Sequence, residues 1–301
     1  MLKNRFDKND LGLNFALAVF STLCISLLVS LVAIIFGIST DNYALTLVTT
    51  AINTLAIGST AFICAKISKT NVVTATKLNV KPPLAHVGWG CLATLCLITF
   101  MIPLNGWIAK LIVLMGLPSP NVALDMDIVS MIILACVLPA FCEEIVFRGA
   151  VAGAVENNKN KLASLAIAGA LFSVFHMNPA QTVHQFALGA FLALLFYRSG
   201  SLWTTVIVHF FNNITVVVLD AVFGKSLDEF FDKNAVWLFF VGLVCFVGCV
   251  VGYLFTTKSK WQIAETENEP PQRKRNNAVL LWVSVGICLA TWILILFVGV
   301  E

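Results

Sequence analysis

Charge is what this sequence has least of. Asp, Glu, Lys and Arg together make up 12% of its 301 residues, about half of the ~25% usual in a soluble domain, which excludes a soluble globular enzyme and a disordered chain. The nine cysteines are odd in number, lie inside apolar stretches and form no CxxC pair, so neither a disulfide framework nor a cysteine zinc site is offered. The net charge is only +3. Its Lys and Arg residues fall in separate short loops, which leaves no continuous basic face for nucleic acid. Period-two alternation is also missing, and with it a membrane β-barrel.

What is abundant is apolar length. Hydrophobic residues reach 59% and the mean hydropathy is +0.90. A helix needs roughly 20 apolar residues to cross a bilayer, and nine stretches qualify: 13–38, 43–67, 84–104, 128–155, 162–177, 182–197, 202–222, 236–256 and 279–299. The fold class is all-α, a polytopic transmembrane bundle. The first stretch is too long for a signal-peptide core and reads as a retained helix. Segments 162–177 and 182–197 are short, and Asn105 to Pro118 either prolongs the third helix or lies in the interface. No inverted repeat of the transporter kind is visible.

Cytoplasmic loops carry an excess of Lys and Arg. With the N-terminus cytoplasmic, the inner set is Lys3, Arg5, Lys8, Lys66, Lys69, Lys77, Lys81, Lys159, Lys161, Arg198, Lys258, Lys260, Arg273, Lys274 and Arg275; the outer set is Lys110, Lys225 and Lys233. Fifteen against three supports the nine-segment map, and places Glu301 outside. The stretch 256–277, with Glu265, Glu267, Glu269, Pro270, Pro271 and a basic cluster, reads as a cytoplasmic linker that suggests at most attraction to anionic lipid. The organisation is then 1–255 as the transmembrane domain, 256–277 as linker and 278–301 as an additional helix.

Of the 16 acidic residues, all but Glu143 and Glu144 lie in loops or at segment ends. A carboxylate at the centre of a membrane helix costs about 2.5–3.5 kcal/mol, so an adjacent pair needs a reason. Arg148 supplies part of it: Glu144 and Arg148 are spaced i, i+4 with the acid first, on one face, and read most simply as a structural ion pair. Glu143 is turned by about 100° and stays available. His176 lies four residues after Phe172, and His209 four before Asn213, so each pair shares a face of its own helix. Counting from the loop near Asn158 at 1.5 Å per residue, Glu143 and His176 reach similar depths, near mid-membrane.

A carboxylate beside an imidazole in a partly dry pocket can hold and deprotonate a water. A second imidazole and an amide can donate to the oxyanion formed when that water attacks a carbonyl. The set points to amide hydrolysis inside the membrane. No GxSxG serine, GxGD-like aspartate or HExxH occurs, which removes the serine, aspartyl and common zinc types of intramembrane protease.

The series EExxxR (Glu143, Glu144, Arg148), FxxxH (Phe172, His176) and HxxxN (His209, Asn213), in this order on three membrane segments, resembles the CAAX prenyl protease and bacteriocin-processing (Abi) family of intramembrane glutamic endopeptidases. The motif core spans 128–223. The resemblance implies that Glu143 with His176 activates the water, that His209 and Asn213 form the oxyanion hole, and that Glu144, Arg148 and Phe172 order the site. It also implies a core of about eight helices, no cofactor, and peptide or protein substrates at the bilayer, either prenylated CAAX proteins or peptide precursors such as bacteriocin leaders.

Two other readings stand beside it. Glu143, His176 and His209 would also suit a His₂Glu zinc site, and a bacteriocin self-immunity factor or scaffold would use the same pocket for binding alone. Asn213 competes as a polar bridge between helices. His86 and His184 match no motif and read as packing or interfacial residues.

Overall fold

The computed structural model of the protein describes residues 2–39, 42–118, 126–156, 160–261 and 277–298. The basic cluster and acidic run of the linker, Lys159, the Asn158 region and Glu301 lie outside the described residues. Ten helices appear among the described residues, and no strand: α1 Lys8–Phe36, α2 Tyr43–Ile67, α3 Val72–Ala75, α4 Leu84–Leu114, α5 Ile128–Val155, α6 Lys161–His176, α7 Thr182–Ser199, α8 Leu202–Phe223, α9 Lys225–Thr256 and α10 Ala278–Val298. The chain is a multi-pass integral membrane protein built as an all-α bundle.

Seven helices, α1, α2, α4, α5, α8, α9 and α10, are long and apolar enough to cross a membrane. The other two segments form helices of a different kind. With 16 residues, α6 reaches only about 24 Å at 1.5 Å per residue. The 18-residue α7 begins with Thr182, His184 and Gln185 and ends with Arg198, which dilutes its apolar content. The stretch 105–114 does prolong the third membrane helix, since α4 runs unbroken to Leu114. The segment placed at 236–256 begins earlier, because the polar residues from Lys225 onward add three turns to the start of α9.

Helix ends follow local chemistry. Asp7 caps α1 by accepting from the backbone of Asn9 and Asp10 while Asp10 reaches back to the Asp7 N–H, a reciprocal capping box, and Gly37 closes the helix in the left-handed region at φ 62°. Helices α4 and α9 pack along their length, as do α6 and α7, while α1 lies between α2 and α10; α5 is enclosed by α1, α2 and α8. Large apolar side chains such as Leu27, Ile34, Trp237, Phe255 and Phe297 stay exposed on the outer faces, where lipid is the solvent.

One end of the bundle is tightly knotted. The backbones of Lys3 and residues 69–71 exchange bonds, Ser201 Oγ donates to the Val80 carbonyl at 2.6 Å, Trp203 Nε1 donates to Leu78 at 2.9 Å, and Tyr197 OH donates to Ala152 at 2.8 Å. Lys77 and Glu156 approach to 4.0 Å. Burial pushes the Lys77 amine below its usual range and the Glu156 carboxyl above it, each partly offset by the charge of the other. After α9 the chain turns back over this end, with the Lys260 N–H on the Arg198 carbonyl and Trp261 stacked 4.5 Å from Tyr197.

The α6–α7 pair, which carries part of the site, depends on small residues at its contact. A Cβ on Gly169 would meet the Phe186 carbonyl oxygen at 2.7 Å, and one on Gly189 would meet the Phe172 side chain at 3.0 Å. The first obstacle is backbone and does not yield. Gly169→Val should therefore part the helices and cost about 1–3 kcal/mol, read as a lowered thermal unfolding midpoint in detergent; an unchanged midpoint would show that the pair tolerates the separation.

Candidate active site

The site starts from a defect in α5. Pro139 has no N–H to give to the Ala135 carbonyl four residues back, and the helix there opens into a wide π turn over Ile132–Val137. Asn213 of α8 fills the gap: its Nδ2 donates to the Ala135 oxygen at 2.9 Å. A second π stretch, Ile145–Ala152, follows the glutamates. Glu143 and Glu144 thus sit on a short α-helical piece between two wide turns, a distortion often found at functional sites.

Glu144 is fully buried, and one of its oxygens, Oε1, serves two partners: Arg148 Nη1 at 2.9 Å and His209 Nδ1 at 2.7 Å. The Arg148 guanidinium, itself only 1% exposed, lies 4.2 Å over the Phe172 ring. Arginine stays charged, so Glu144 is the carboxylate that answers it. At that distance from a carboxylate the His209 Nδ1 carries hydrogen and donates, which turns Nε2 to the far side of the ring.

Glu143 belongs to a different arrangement. Its Oε2 lies 3.7 Å from His176 Nε2, beyond direct hydrogen-bond range. His176 Nδ1 is 2.7 Å from the Phe172 carbonyl; a carbonyl only accepts, so Nδ1 donates, and in the neutral ring the lone pair is on Nε2. Two acceptors therefore face one another across a gap that suits a shared donor. His176 ends α6, with Met177 following in the left-handed region at φ 48°. Phe172 ties the three motifs together, its ring centroid 4.5 Å from His176, 6.1 Å from His209 and 5.2 Å from Phe147.

Glu143, His176, His209 and Asn213 line one cavity of about 460 Å³. Asn212, the neighbour of the motif residue, lines it too, and its Nδ2 donates to Asn213 Oδ1 at 2.9 Å. That bond and the one to Ala135 fix which way the Asn213 amide points. Asn213 is thus a bridge between helices and a cavity residue at once.

The rest of the wall holds what the motifs do not include. Asn105 of α4 and Gln181, His184 and Gln185 at the start of α7 rim the cavity, with Asn105 Nδ2 3.3 Å from His184 Nδ1. His184, expected as a packing or interfacial residue, lines the cavity. The signal was in QTVHQ, a polar run where a membrane helix should be apolar. His86, by contrast, bonds the Tyr253 hydroxyl at 2.8 Å between α4 and α9 and takes no part in the cavity. Helix α10 packs on α1 and α6 and reaches this region as well, with Trp292 Nε1 donating to Thr182 Oγ1 at 2.8 Å.

Among the described residues no three His, Cys, Asp or Glu side chains gather as the ligands of one metal ion would. His176 Nδ1 and His209 Nδ1 are held by the Phe172 carbonyl and by Glu144, which leaves each Nε2 as the atom a zinc ion would use.

Residues 125–215, which hold all three motifs, match the model of the family described as Rce1-like, Type II CAAX prenyl endopeptidase Rce1-like. Over this segment the chain is similar to the CAAX prenyl endopeptidase family. Over 108 residues the chain is also 26% identical to a protein of Bacillus subtilis (strain 168) named "Putative membrane peptidase YdiL", a match that covers 35% of this chain and 44% of that protein. The chain thus spans less than half the length of that curated relative. Within the CAAX endopeptidase-like segment the motif residues and the cavity coincide.

Removing one partner of a buried ion pair strands the other, at about 3–5 kcal/mol. Arg148→Met should lower the unfolding midpoint in detergent by that order, and Glu144→Gln added to it should restore part of the loss. If the double variant is no better than the single one, the pair is not coupled as the geometry requires.

Proposed function

We propose that the protein is an intramembrane glutamic endopeptidase that hydrolyses a peptide bond of a membrane-associated substrate. The observation that supports this best is the pair Glu143 Oε2 and His176 Nε2, two acceptors 3.7 Å apart on a cavity large enough for a peptide segment. A water placed between them donates one hydrogen to each and turns its lone pair toward the cavity. Glu143 takes the proton as the water oxygen bonds the carbonyl carbon. The tetrahedral oxyanion receives hydrogen bonds from His209 and Asn213. His209 faces the oxyanion with Nε2 while the Glu144 carboxylate holds Nδ1. The proton held by Glu143 passes to the leaving nitrogen, the C–N bond breaks, and the carboxylate is regenerated.

Glu144 and Arg148 act here through position. Their charges neutralise each other and hold His209 at a fixed angle, and Phe172 spaces the two imidazoles. Substrates of this kind include CAAX-type C-terminal segments and peptide precursors, bacteriocin leaders among them. The N-terminus is taken as cytoplasmic, as the distribution of Lys and Arg favours, and residues 278–298 as an addition to the catalytic bundle.

Cleavage of membrane-delivered peptides by detergent-purified protein tests the reading. Glu143→Gln should reduce kcat by about 10²–10⁴, the usual weight of a general base, with the unfolding midpoint unchanged. His209→Ala should lose about 10²–10³ as an oxyanion donor. A strong zinc chelator should leave the wild-type rate untouched; a chelator-sensitive rate would replace this mechanism with a metal one. Were Glu143→Gln to sustain the cellular role of the protein, a binding function would be the better account.

A further inference from the structure

Helices α1, α6 and α10 leave a groove on the outer surface of the bundle. Its volume is about 480 Å³, and it shares no lining residue with the cavity of Glu143 and His176. From α6 come Ala163, Ser164, Ile167, Ala170, Leu171 and Val174, spaced by three or four residues so that they form one stripe along the helix. At about 100° per residue this stripe faces away from Phe172 and His176, which lie on the opposite side of α6. Helix α10 supplies the second wall through Leu281, Trp282 and Val285, and α1 closes the head of the groove with Lys8 and Leu11.

The three helices start together at this head. Asn277 Nδ2, just before α10, donates to the Asn9 carbonyl at 2.6 Å, and a Cβ on Gly12 would collide with the Asn277 carbonyl oxygen, so α10 is seated against the first turns of α1. In the first turn of α6, Ser164 Oγ donates to the Val155 carbonyl at 3.0 Å, and Val155 lines the groove as well. From Ala163 to Val174 the stripe rises about 16 Å at 1.5 Å per residue, close to half of a hydrocarbon core ~30 Å thick. The groove is one leaflet deep.

Its charge is confined to the head. Lys8 is exposed, and among the described residues no acid pairs with it: Asp7 and Asp10 are taken by Lys3 at 3.0 and 2.7 Å, and Glu156 lies 4.0 Å from Lys77. Trp282, 70% exposed, stands about one turn into α10, an indole of the kind that sits among headgroups.

We propose that this groove holds one anionic glycerophospholipid, with an acyl chain along the α6 stripe and the phosphate at Lys8, and that α10 is the wall that retains it. Charge selects the headgroup: a net negative phosphodiester answers the unpaired lysine, whereas a zwitterionic one brings its own cation. Depth selects the chain, since a groove that ends near the midplane suits an acyl tail of one leaflet. The lipid would brace α6 from behind, and α6 ends at His176. The proposal goes beyond the peptidase reading and stands without it.

Native mass spectrometry of the full-length protein, equilibrated in detergent with equal amounts of phosphatidylglycerol and phosphatidylcholine, reads the retained lipid. One phosphatidylglycerol should stay bound, favoured by about fivefold, the usual weight of one lysine near anionic lipid. Lys8→Gln should abolish that preference, and Lys66→Gln, which removes an exposed lysine outside the groove, should leave it intact. Ile167→Trp, which fills the stripe, should lose both lipids; Ala170→Leu is the milder filling variant, and the unfolding midpoint of each checks its fold. An uncharged farnesylated peptide amide should not displace the phospholipid. Equal retention of the two lipids, no retained lipid, a preference that survives Lys8→Gln or is lost equally in Lys66→Gln, or undiminished retention in a folded filling variant would each overturn the proposal. Displacement by the farnesylated peptide would overturn it too, and assign the groove to the isoprenyl chain of a substrate.

Discussion

The site depends on a charge that has no business in a membrane unless it is answered. Glu144 is buried without exposure, and the same oxygen meets the Arg148 guanidinium and the His209 imidazole. The Arg148 charge spreads over the Phe172 face, and the Phe172 carbonyl fixes the tautomer of His176. The ion pair therefore holds His209 directly, and Phe172, which carries the Arg148 charge on its ring, holds His176 through its carbonyl. Without these contacts, the cavity would still exist, but its imidazoles would have no reason to point anywhere in particular.

The second constraint comes from the backbone. A proline in α5 removes a helical hydrogen bond, and a side chain from α8 replaces it. The exchange fastens the two helices that carry the acid and the amide, and the wide turns on either side of Glu143 and Glu144 let adjacent residues serve unlike purposes. Glu144 faces the packed interior, and Glu143 faces the cavity.

Much of this was legible in the sequence because membrane helices make polar residues conspicuous. The i, i+4 spacings of Glu144 with Arg148, Phe172 with His176 and His209 with Asn213 announced shared faces, and seven of the nine expected segments have the length and hydropathy of membrane helices. Other features were hidden for identifiable reasons. The partnership of Glu144 with His209 is a contact across 65 residues, which no local period records. The extended start of α9 is made of polar residues that a hydropathy window discards. Asn105 and His184 gain meaning only when α4 and α7 meet at the rim, and Asn212 only when its amide is seen to orient the motif residue beside it.

The Phe172 ring has a consequence for how such a site can change over time. It touches Arg148 from the first motif, its own motif's histidine and the histidine of the third, so no motif can drift alone. A substitution acceptable in one background would be harmful in another, because residues sharing a partner do not contribute additively. Variation would then be channelled away from the three motifs and into the rim, where Asn105, Gln181 and Gln185 can be exchanged without disturbing the ring. Chains of this architecture could diversify what they admit while the chemistry beneath stays locked.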